Sequence, residues 1–314
     1  MAAREQVEEI QKRVNASVIG QERVVERLVI ALLANGNVLV EGLPGLAKTR
    51  AIKSLSGALE SDFSRIQFTP DLLPSDVTGG EIYRDGKFEF RQGPVFGNLV
   101  LADEFNRAPA KVQSALLEAM QEKQVTLGDE SHPLQDPFLV MATQNPIEQE
   151  GTYPLPEAQS DRFMLKVKVG YPDRAEEKEI LRRAGLSSMP ELKSQATHAQ
   201  VVEAREALSG VYVDDKIQEY VLDLVSATRR PKDFGLSLEH LVQNGASPRA
   251  TLFLVRGAQA FAVLRGRPYV LPDDVKAVAL DVLRHRITVS YEAEAEGVDG
   301  EEVARRILEQ VRVP

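Results

Sequence analysis

Short apolar runs recur along the first half of the chain, and longer segments with a different spacing separate them. In residues 111–123, for example, Val112, Leu116 and Met120 recur at the interval of a helical face. Runs that are apolar throughout are typical of strands in a parallel sheet that is covered on both faces. The alternation therefore predicts an α/β fold in which helices connect parallel strands. The predicted strands are residues 38–40, 66–68, 99–102, 139–142 and 164–169.

Two segments interrupt this alternation. Residues 79–91 alternate polar and apolar positions around Asp85-Gly86, which is a strong signal of a β-hairpin. Residues 124–134 give a weaker signal of a second hairpin. Both segments are expected to be exposed, and thus available for partners or for contacts between subunits.

The second half of the chain has a different pattern. Strand signals fade after residue 172, and helical spacing predominates. We therefore expect two domains, an α/β core over residues 1–172 and an α-helical domain over residues 173–314. The helices predicted in the second domain are residues 200–228, 248–265 and 272–285.

Neither an acidic pair in the second half nor the histidines of the chain indicate a metal site. Asp273 and Asp274 follow Pro272 at the start of a predicted helix, where acids interact favourably with the helix dipole. We interpret this pair as a helix cap. The four histidines have no ligand spacing and the chain has no cysteine, so no histidine or thiolate metal site is predicted.

The net charge of the chain bears on whether its partner is a nucleic acid. The net charge is −9, whereas a generic nucleic-acid-binding domain is basic, so nucleic acid is disfavoured as a partner. The densest basic segments, residues 229–232 and 284–286, are short. We interpret them as solvated faces or as positions near a nucleotide.

The N-terminal region carries no predicted membrane or export signal. The first ten residues are charged and lack the apolar core of a signal peptide. The longest apolar region, residues 24–40, is interrupted by charged and amide side chains and is too polar for a spanning helix. A soluble, cytoplasmic protein without a membrane segment is therefore expected.

A glycine- and proline-rich turn follows the first predicted strand directly. The segment from Glu41 to Thr49 is EGLPGLAKT, and a helix is predicted at residues 49–59. Backbone N–H groups of such a turn can surround phosphate oxygens. Lys48 is then expected to reach the β- and γ-phosphates, and the Thr49 hydroxyl to bind Mg²⁺. The alternative is an ordinary glycine-rich turn, and Ala47 stands where a phosphate-binding loop usually has glycine. The candidate nucleotide-binding residues of this segment are Gly42, Pro44, Gly45, Leu46, Ala47, Lys48, Thr49 and Arg50.

Two later strands also end in polar side chains. Asp103 and Glu104 follow one apolar run, and Asn145 follows the next. The carboxyl ends of parallel strands meet at the edge where open α/β sheets bind ligands. Asp103 suits the coordination shell of Mg²⁺, and Glu104 suits polarisation of an attacking water. Asn145 can hydrogen-bond the γ-phosphate or that water. Taken singly, the acids could be a solvated turn, and Asn145-Pro146 is itself a turn signal.

Together, in this order, the segments resemble an AAA+ ATPase, and their particular residues resemble the MoxR family. Ala47 is a familiar variant in that family, whereas Phe105 departs from the more usual aliphatic residue. The resemblance implies a P-loop NTPase (AAA+) core with a parallel sheet and a C-terminal α-helical lid. It makes the first hairpin an insert in helix 2 and the second a hairpin before the sensor-1 strand. The matching segments, which span most of the chain, are residues 18–21, 41–49, 101–109, 113–120, 142–146, 155–163 and 247–250.

Further site residues are implied by the resemblance alone. Arg162 is implied to be an arginine finger that enters a neighbouring subunit's nucleotide site, although a surface arginine would be expected from the sequence unaided. Arg249 resembles the sensor-2 arginine, which contacts the γ-phosphate from the lid. Val18, Ile19 and Gly20 resemble the segment that contacts adenine.

The resemblance implies a Mg²⁺-dependent ATPase that works as an oligomeric ring, most often a hexamer. ATP and Mg²⁺ are the expected cofactors, and hydrolysis is expected to move the lid and remodel a protein partner in a chaperone-like role. A partner with a von Willebrand factor A domain is suggested by the family. The alternatives are a DNA-remodelling motor, which the acidic charge disfavours, and a nucleotide-gated scaffold, which the intact Glu104, Asn145 and Arg162 disfavour.

Overall fold

The computed structural model describes residue 14 and residues 20–43, 48–59, 61–84, 86–128, 130–146, 152–153, 155–184 and 196–314. The chain forms two compact units. The first extends to Leu155 and resumes from Val167 to Glu203, and the second combines Pro156–Lys166 with Ala204–Pro314. A domain boundary at residue 172 stays a prediction. Among the described residues, no helix has the length and apolar character needed to cross a membrane.

Strands and helices alternate in the first unit and helices predominate in the second. The strands are β1 (Val38–Gly42), β2 (Phe63–Gln67), β3 (Gly79–Arg84), β4 (Lys87–Gln92), β5 (Leu99–Asp103), β6 (Gln124–Leu127), β7 (Glu130–Pro133), β8 (Leu139–Gln144), β9 (Leu165–Val169), β10 (Val242–Asn244) and β11 (Thr288–Val289). The helices are α1 (Glu22–Leu33), α2 (Lys48–Ala58), α3 (Pro74–Thr78), α4 (Ala110–Glu122), α5 (Glu157–Ser160), α6 (Arg174–Ala184), α7 (His198–Ser209), α8 (Asp215–Arg229), α9 (Pro248–Leu264), α10 (Pro272–Leu283), α11 (Tyr291–Ala295) and α12 (Gly300–Gln310).

A five-stranded sheet in the order β2–β5–β8–β1–β9 confirms the predicted α/β core. The pairings β2–β5, β5–β8 and β1–β8 are parallel. The three central strands are buried for most of their length, which explains why their sequences are almost wholly apolar. Strand β2 begins at Phe63, before the apolar run that predicted it, because an edge strand tolerates polar residues such as Ser64 and Arg65.

Both predicted hairpins are present. Strands β3 and β4 pair antiparallel from Gly79 with Gln92 to Arg84 with Lys87, and β6 pairs antiparallel with β7. Each turn has a glycine with positive φ, Gly86 at 85° and Gly128 at 58°. The sequence signal was therefore correct in both cases, because turn chemistry is local.

The second unit is largely helical, with two differences from the prediction. Residues 200–228 form two helices, because α7 ends at Ser209 and Asp214 caps a new helix by accepting the Lys216 N–H at 2.9 Å. A short antiparallel pair, β10 with β11, is also present. Helices α9 and α10 confirm the remaining predictions.

Candidate nucleotide site

Strand β1 and helix α2 flank the segment that the sequence predicts to be a glycine-rich turn. Lys48 is the first residue of α2, and its Nζ donates to the Gly42 carbonyl at 2.7 Å. A Cβ at Gly42 would lie 2.8 Å from the Val169 carbonyl oxygen, so glycine is needed for β9 to approach. Thr49 is half-buried and Arg50 is exposed on α2. The predicted residues Pro44, Gly45, Leu46 and Ala47 lie outside the described residues.

The two acids lie where β5 ends. Arg65 donates from Nε and Nη2 to Oδ2 of Asp103, at 3.2 and 2.7 Å. Glu104 takes a left-handed backbone (φ 56°, ψ 45°), which costs a residue with a Cβ about 1–2 kcal/mol. Its carboxylate accepts from Arg107 at 2.8 Å, and both side chains are partly exposed. Residues in such backbone conformations concentrate at functional sites.

Thr143 connects the two acids, and sequence reasoning missed it. The residue lies in β8, with its side chain buried. Its hydroxyl donates to Oδ1 of Asp103 at 2.7 Å and accepts from the Glu104 N–H at 2.9 Å. A threonine in an apolar strand carries no chemical signal of its own. The available signal was its position near the end of a strand predicted to lie in the same sheet as β5, where its hydroxyl could reach the acids.

The register of the sheet brings the predicted strand ends to one edge. Ala102 pairs with Ala142, and Val40 pairs with Thr143, so the carboxyl ends of β5, β8 and β1 are adjacent. Asn145 follows β8 directly and is half-buried. The sheet therefore brings together the residues that the sequence placed at separate strand ends.

Phe105, which departs from the usual aliphatic residue, is accommodated by a second aromatic ring. Phe105 and Phe68 are both fully buried, and their rings meet edge to face with centroids 5.3 Å apart. The Phe68 N–H donates to the Asp103 carbonyl at 2.9 Å. Phe105 thus packs against a residue whose backbone is bonded to Asp103.

The segment proposed to contact adenine is described only at Gly20. Gly20 has φ of 70°, and a Cβ there would lie 2.9 Å from Oε2 of Glu176, so the position favours glycine. Val18 and Ile19 lie outside the described residues.

Asp161 organises the arginines of the second unit. Its carboxylate accepts from Arg286 at 2.8 Å, from Arg249 at 3.1 Å and from the Ser247 hydroxyl at 2.9 and 3.0 Å. The next residue is Arg162, which is half-buried and whose Nε makes no hydrogen bond among the described residues. The second unit therefore binds one predicted arginine, Arg249, to the carboxylate of the residue that directly precedes the other, Arg162.

The interpretation of residues 284–286 as a solvated face is wrong, while a position near a nucleotide stays a prediction. Arg284 and Arg286 are each 7% exposed. Arg286 donates to the backbone carbonyls of Asp161, Phe163, Met164 and Val282 as well as to the Asp161 side chain. An arginine can be buried when all its N–H groups have partners, and periodicity does not reveal those partners.

Burial changes the ionisation of this segment. Desolvation lowers the pKa of His285 well below its usual range, and the neighbouring Arg286 charge lowers it further. Burial also lowers the pKa of Arg286 to about 10, which Asp161 opposes. At neutral pH Arg286 is therefore charged and His285 is neutral.

The oxygen donors at the sheet edge fit Mg²⁺. Asp103 offers a carboxylate whose Oδ1 has one hydrogen bond from Thr143, and Thr49 offers a hydroxyl at the start of α2. Mg²⁺ prefers such oxygen ligands, takes few of them from protein and completes its shell with water and phosphate. The residues are thus of the type that holds Mg²⁺ with a nucleotide.

Family models match both parts of the chain. Residues 37–165 match the ATPase family associated with various cellular activities (AAA), and residues 238–307 match the AAA lid domain. The first match contains β1, β5 and β8 with their polar ends. The chain therefore has an AAA+ core with a parallel sheet and a C-terminal lid.

Individual relatives narrow the family. Chaperone MoxR1 of Mycobacterium tuberculosis is 48% identical over 300 residues, which cover 95% of this chain and 79% of that protein. Protein MoxR of Paracoccus denitrificans is 33% identical, over 90% of this chain and 89% of that one. A solved structure assigned as an ATPase, from Cytophaga hutchinsonii, is 48% identical with a TM-score of 0.94, and covers 100% of this chain and 96% of that one. With these sequence and structural similarities, the chain belongs to the MoxR family of AAA+ ATPases.

Proposed function

We propose that the protein hydrolyses ATP with Mg²⁺ and uses the energy to remodel a protein partner. The observation that carries the proposal is the fixed acidic pair, Asp103 and Glu104, at the same sheet edge as the end of β1. Phosphoryl transfer needs little covalent chemistry from the protein and depends on positioning and electrostatic stabilisation. A rigid acidic pair beside a phosphate-binding lysine can supply both.

Each residue at this edge has a proposed role. Lys48 exchanges its Gly42 carbonyl contact for the β- and γ-phosphates, while Thr49 and Asp103 hold Mg²⁺, which neutralises charge that develops on the phosphates. Glu104 orients the attacking water. Its ion pair with Arg107 is partly exposed, so releasing the carboxylate costs little. Asn145 contacts the γ-phosphate or the water.

Two arginines complete the proposed reaction. Arg162 acts on the nucleotide of a neighbouring subunit, and Arg249 senses the nucleotide from the lid, as the family suggests. A permanent planar charge suits a developing phosphoryl charge. The role of Arg162 requires neighbouring subunits, for which we propose a hexameric ring. The client is proposed to be a protein, with a von Willebrand factor A domain as the first candidate, and the proposed location is the cytoplasm.

Phosphate release with and without Mg²⁺ tests the proposal. Lys48→Ala should lose binding of a fluorescent ATP analogue, because the phosphates lose their ammonium partner. Glu104→Gln should retain binding but lower turnover by roughly 10²-fold or more. The matched control is Glu118→Gln, at an exposed position on α4, which should change neither quantity.

The outcomes separate the candidate functions. Wild-type turnover that requires Mg²⁺, together with client capture by Glu104→Gln, supports a remodelling ATPase. Tight binding without turnover in the wild type would instead indicate a nucleotide-gated scaffold. Unchanged affinity in Lys48→Ala would place the nucleotide elsewhere.

A further inference from the structure

The directions of both hydrogen bonds of the Thr143 hydroxyl are fixed. It has one hydrogen, and the Glu104 amide can only donate to it, so the hydrogen is committed to Oδ1 of Asp103. The side chain is 1% exposed, and a β-branched residue in a strand has restricted rotamers. The hydroxyl therefore holds a carboxylate and an amide from two consecutive residues in one geometry.

The two oxygens of Asp103 are not equivalent. Oδ2 accepts two N–H groups from Arg65, whereas Oδ1 accepts only the Thr143 hydroxyl among the hydrogen bonds of the described residues. A carboxylate oxygen can accept about two hydrogen bonds. Oδ1 thus keeps capacity for a cation or for one of its waters, and Thr143 orients that oxygen.

The Glu104 backbone depends on the same hydroxyl. Its left-handed conformation is unfavourable for a residue with a Cβ and must be held by its surroundings. Two hydrogen bonds restrain it. The Glu104 N–H donates to the Thr143 hydroxyl at 2.9 Å, and the Arg107 N–H donates to the Glu104 carbonyl at 2.8 Å. Loss of the hydroxyl would leave the Glu104 N–H without this acceptor and loosen the turn that directs its side chain.

We infer that Thr143 is a positioning residue that aligns Oδ1 of Asp103, the oxygen that would bind Mg²⁺ or one of its waters, with the Glu104 backbone. The inference rests on the proposed ATPase function. A threonine with only a structural role would stabilise the sheet without affecting the binding of Mg²⁺. Thr228 in the second unit provides that comparison, because it is equally buried, donates to the Val225 carbonyl at 2.7 Å and accepts from the Ala246 N–H at 2.9 Å.

The test compares Thr143→Val, Thr143→Ser and Thr228→Val in the full chain. The first readout is the affinity for a fluorescent ATP analogue with and without Mg²⁺, and the second is turnover at saturating Mg²⁺ and ATP. Thr143→Val should bind the analogue with wild-type affinity when Mg²⁺ is absent. The factor by which Mg²⁺ raises that affinity should be about tenfold smaller than in the wild type, because a hydrogen bond to a charged group is lost. Its turnover should also fall about tenfold or more.

The control variants decide how the losses are interpreted. Thr143→Ser retains the hydroxyl and should restore both quantities to within about twofold of wild type, while Thr228→Val should lower the unfolding midpoint and leave both unchanged. If Thr143→Val does not fold, Thr143→Ala takes its place in the same comparison.

A wild-type Mg²⁺ response in Thr143→Val, or equal losses in Thr143→Ser, would overturn the inference. Equal losses in Thr228→Val would also overturn it, because they would show a general effect of destabilisation. Failure of the wild-type protein to bind the analogue would instead count against the proposed function itself.

Discussion

At the scale of single residues, each of the two units contains a buried polar side chain whose hydrogen-bonding groups are paired with specific partners. Thr143 in the first unit and Arg286 in the second have nearly all their hydrogen-bonding groups committed. Such groups cost free energy when a partner is removed, because the remaining group is left desolvated. Their positions are thus set more rigidly than those of exposed polar residues.

His285 provides a pH-dependent test at this scale. Its folded-state pKa lies well below that of an unfolded histidine, so the unfolded chain binds the extra proton first as the pH falls. The associated stability is present above about pH 6.5 and should decline by up to about 1.4 kcal/mol for each pH unit below it. Urea unfolding between pH 7.5 and 5.0 should show a shallower decline for His285→Gln than for wild type. His240→Gln, at an exposed position, should keep the wild-type slope, and parallel slopes for all three proteins would contradict the account.

At the scale of elements, capping residues help to decide where helices begin. The first turn of α10 carries two adjacent acids with different environments. Asp274 is buried, accepts the Leu271 N–H at 2.8 Å and pairs with Arg267 at 2.6 and 2.7 Å, whereas Asp273 is exposed. The interpretation of this pair as a cap is confirmed for Asp274.

The two acids form a matched pair for mutation. Asp274→Ala removes three hydrogen bonds and leaves the partly buried Arg267 without its carboxylate, so it should lower the free energy of unfolding by roughly 2–3 kcal/mol. Asp273→Ala should cost less than about 1 kcal/mol, since only the helix-dipole interaction is lost. Equilibrium urea unfolding measures both values. Similar costs for the two variants would show that the dipole, and not the buried contacts, stabilises this helix start.

At the scale of the whole molecule, the segment with Arg162 belongs to the same compact unit as the lid helices. Asp161, next to it, is bound by Arg286 from the residues after α10 and by Arg249 from α9. Helix α9 therefore holds one of the predicted arginines and restrains the neighbour of the other. If Arg162 acts on a neighbouring subunit, catalysis has to depend on assembly.

Mixing two inactive variants tests that dependence. An arginine finger contributes about 10³–10⁵ in rate in related phosphoryl-transfer systems, so Arg162→Ala and Lys48→Ala should each be nearly inactive alone. Mixed rings should recover part of the phosphate release, because an intact Arg162 from one subunit would meet an intact Lys48 in another. Native mass measurement confirms mixed assembly. Inactive mixtures in which assembly is verified would rule out simple complementation across the interface.

The sequence by itself determined the strands of the parallel sheet, the two hairpins and the order of polar strand ends, but not the short pair β10 and β11. Burial on both faces selects apolar runs, and tight turns select glycine, so these signals are local and can be read from neighbouring residues. The acidic pair Asp103 and Glu104 was identifiable for the same reason, since both follow a buried strand directly. Family resemblance then assigned them roles that remain proposals.

The tertiary structure alone decided how those residues are held. Thr143 meets Asp103 across 40 positions of sequence, and Arg286 meets Asp161 across 125, separations that no local pattern encodes. The left-handed backbone of Glu104 and the burial of Arg284 and Arg286 likewise depend on partners brought together by folding. Hydrophobic periodicity records which residues leave water, whereas hydrogen-bond partnership is settled only when distant elements meet.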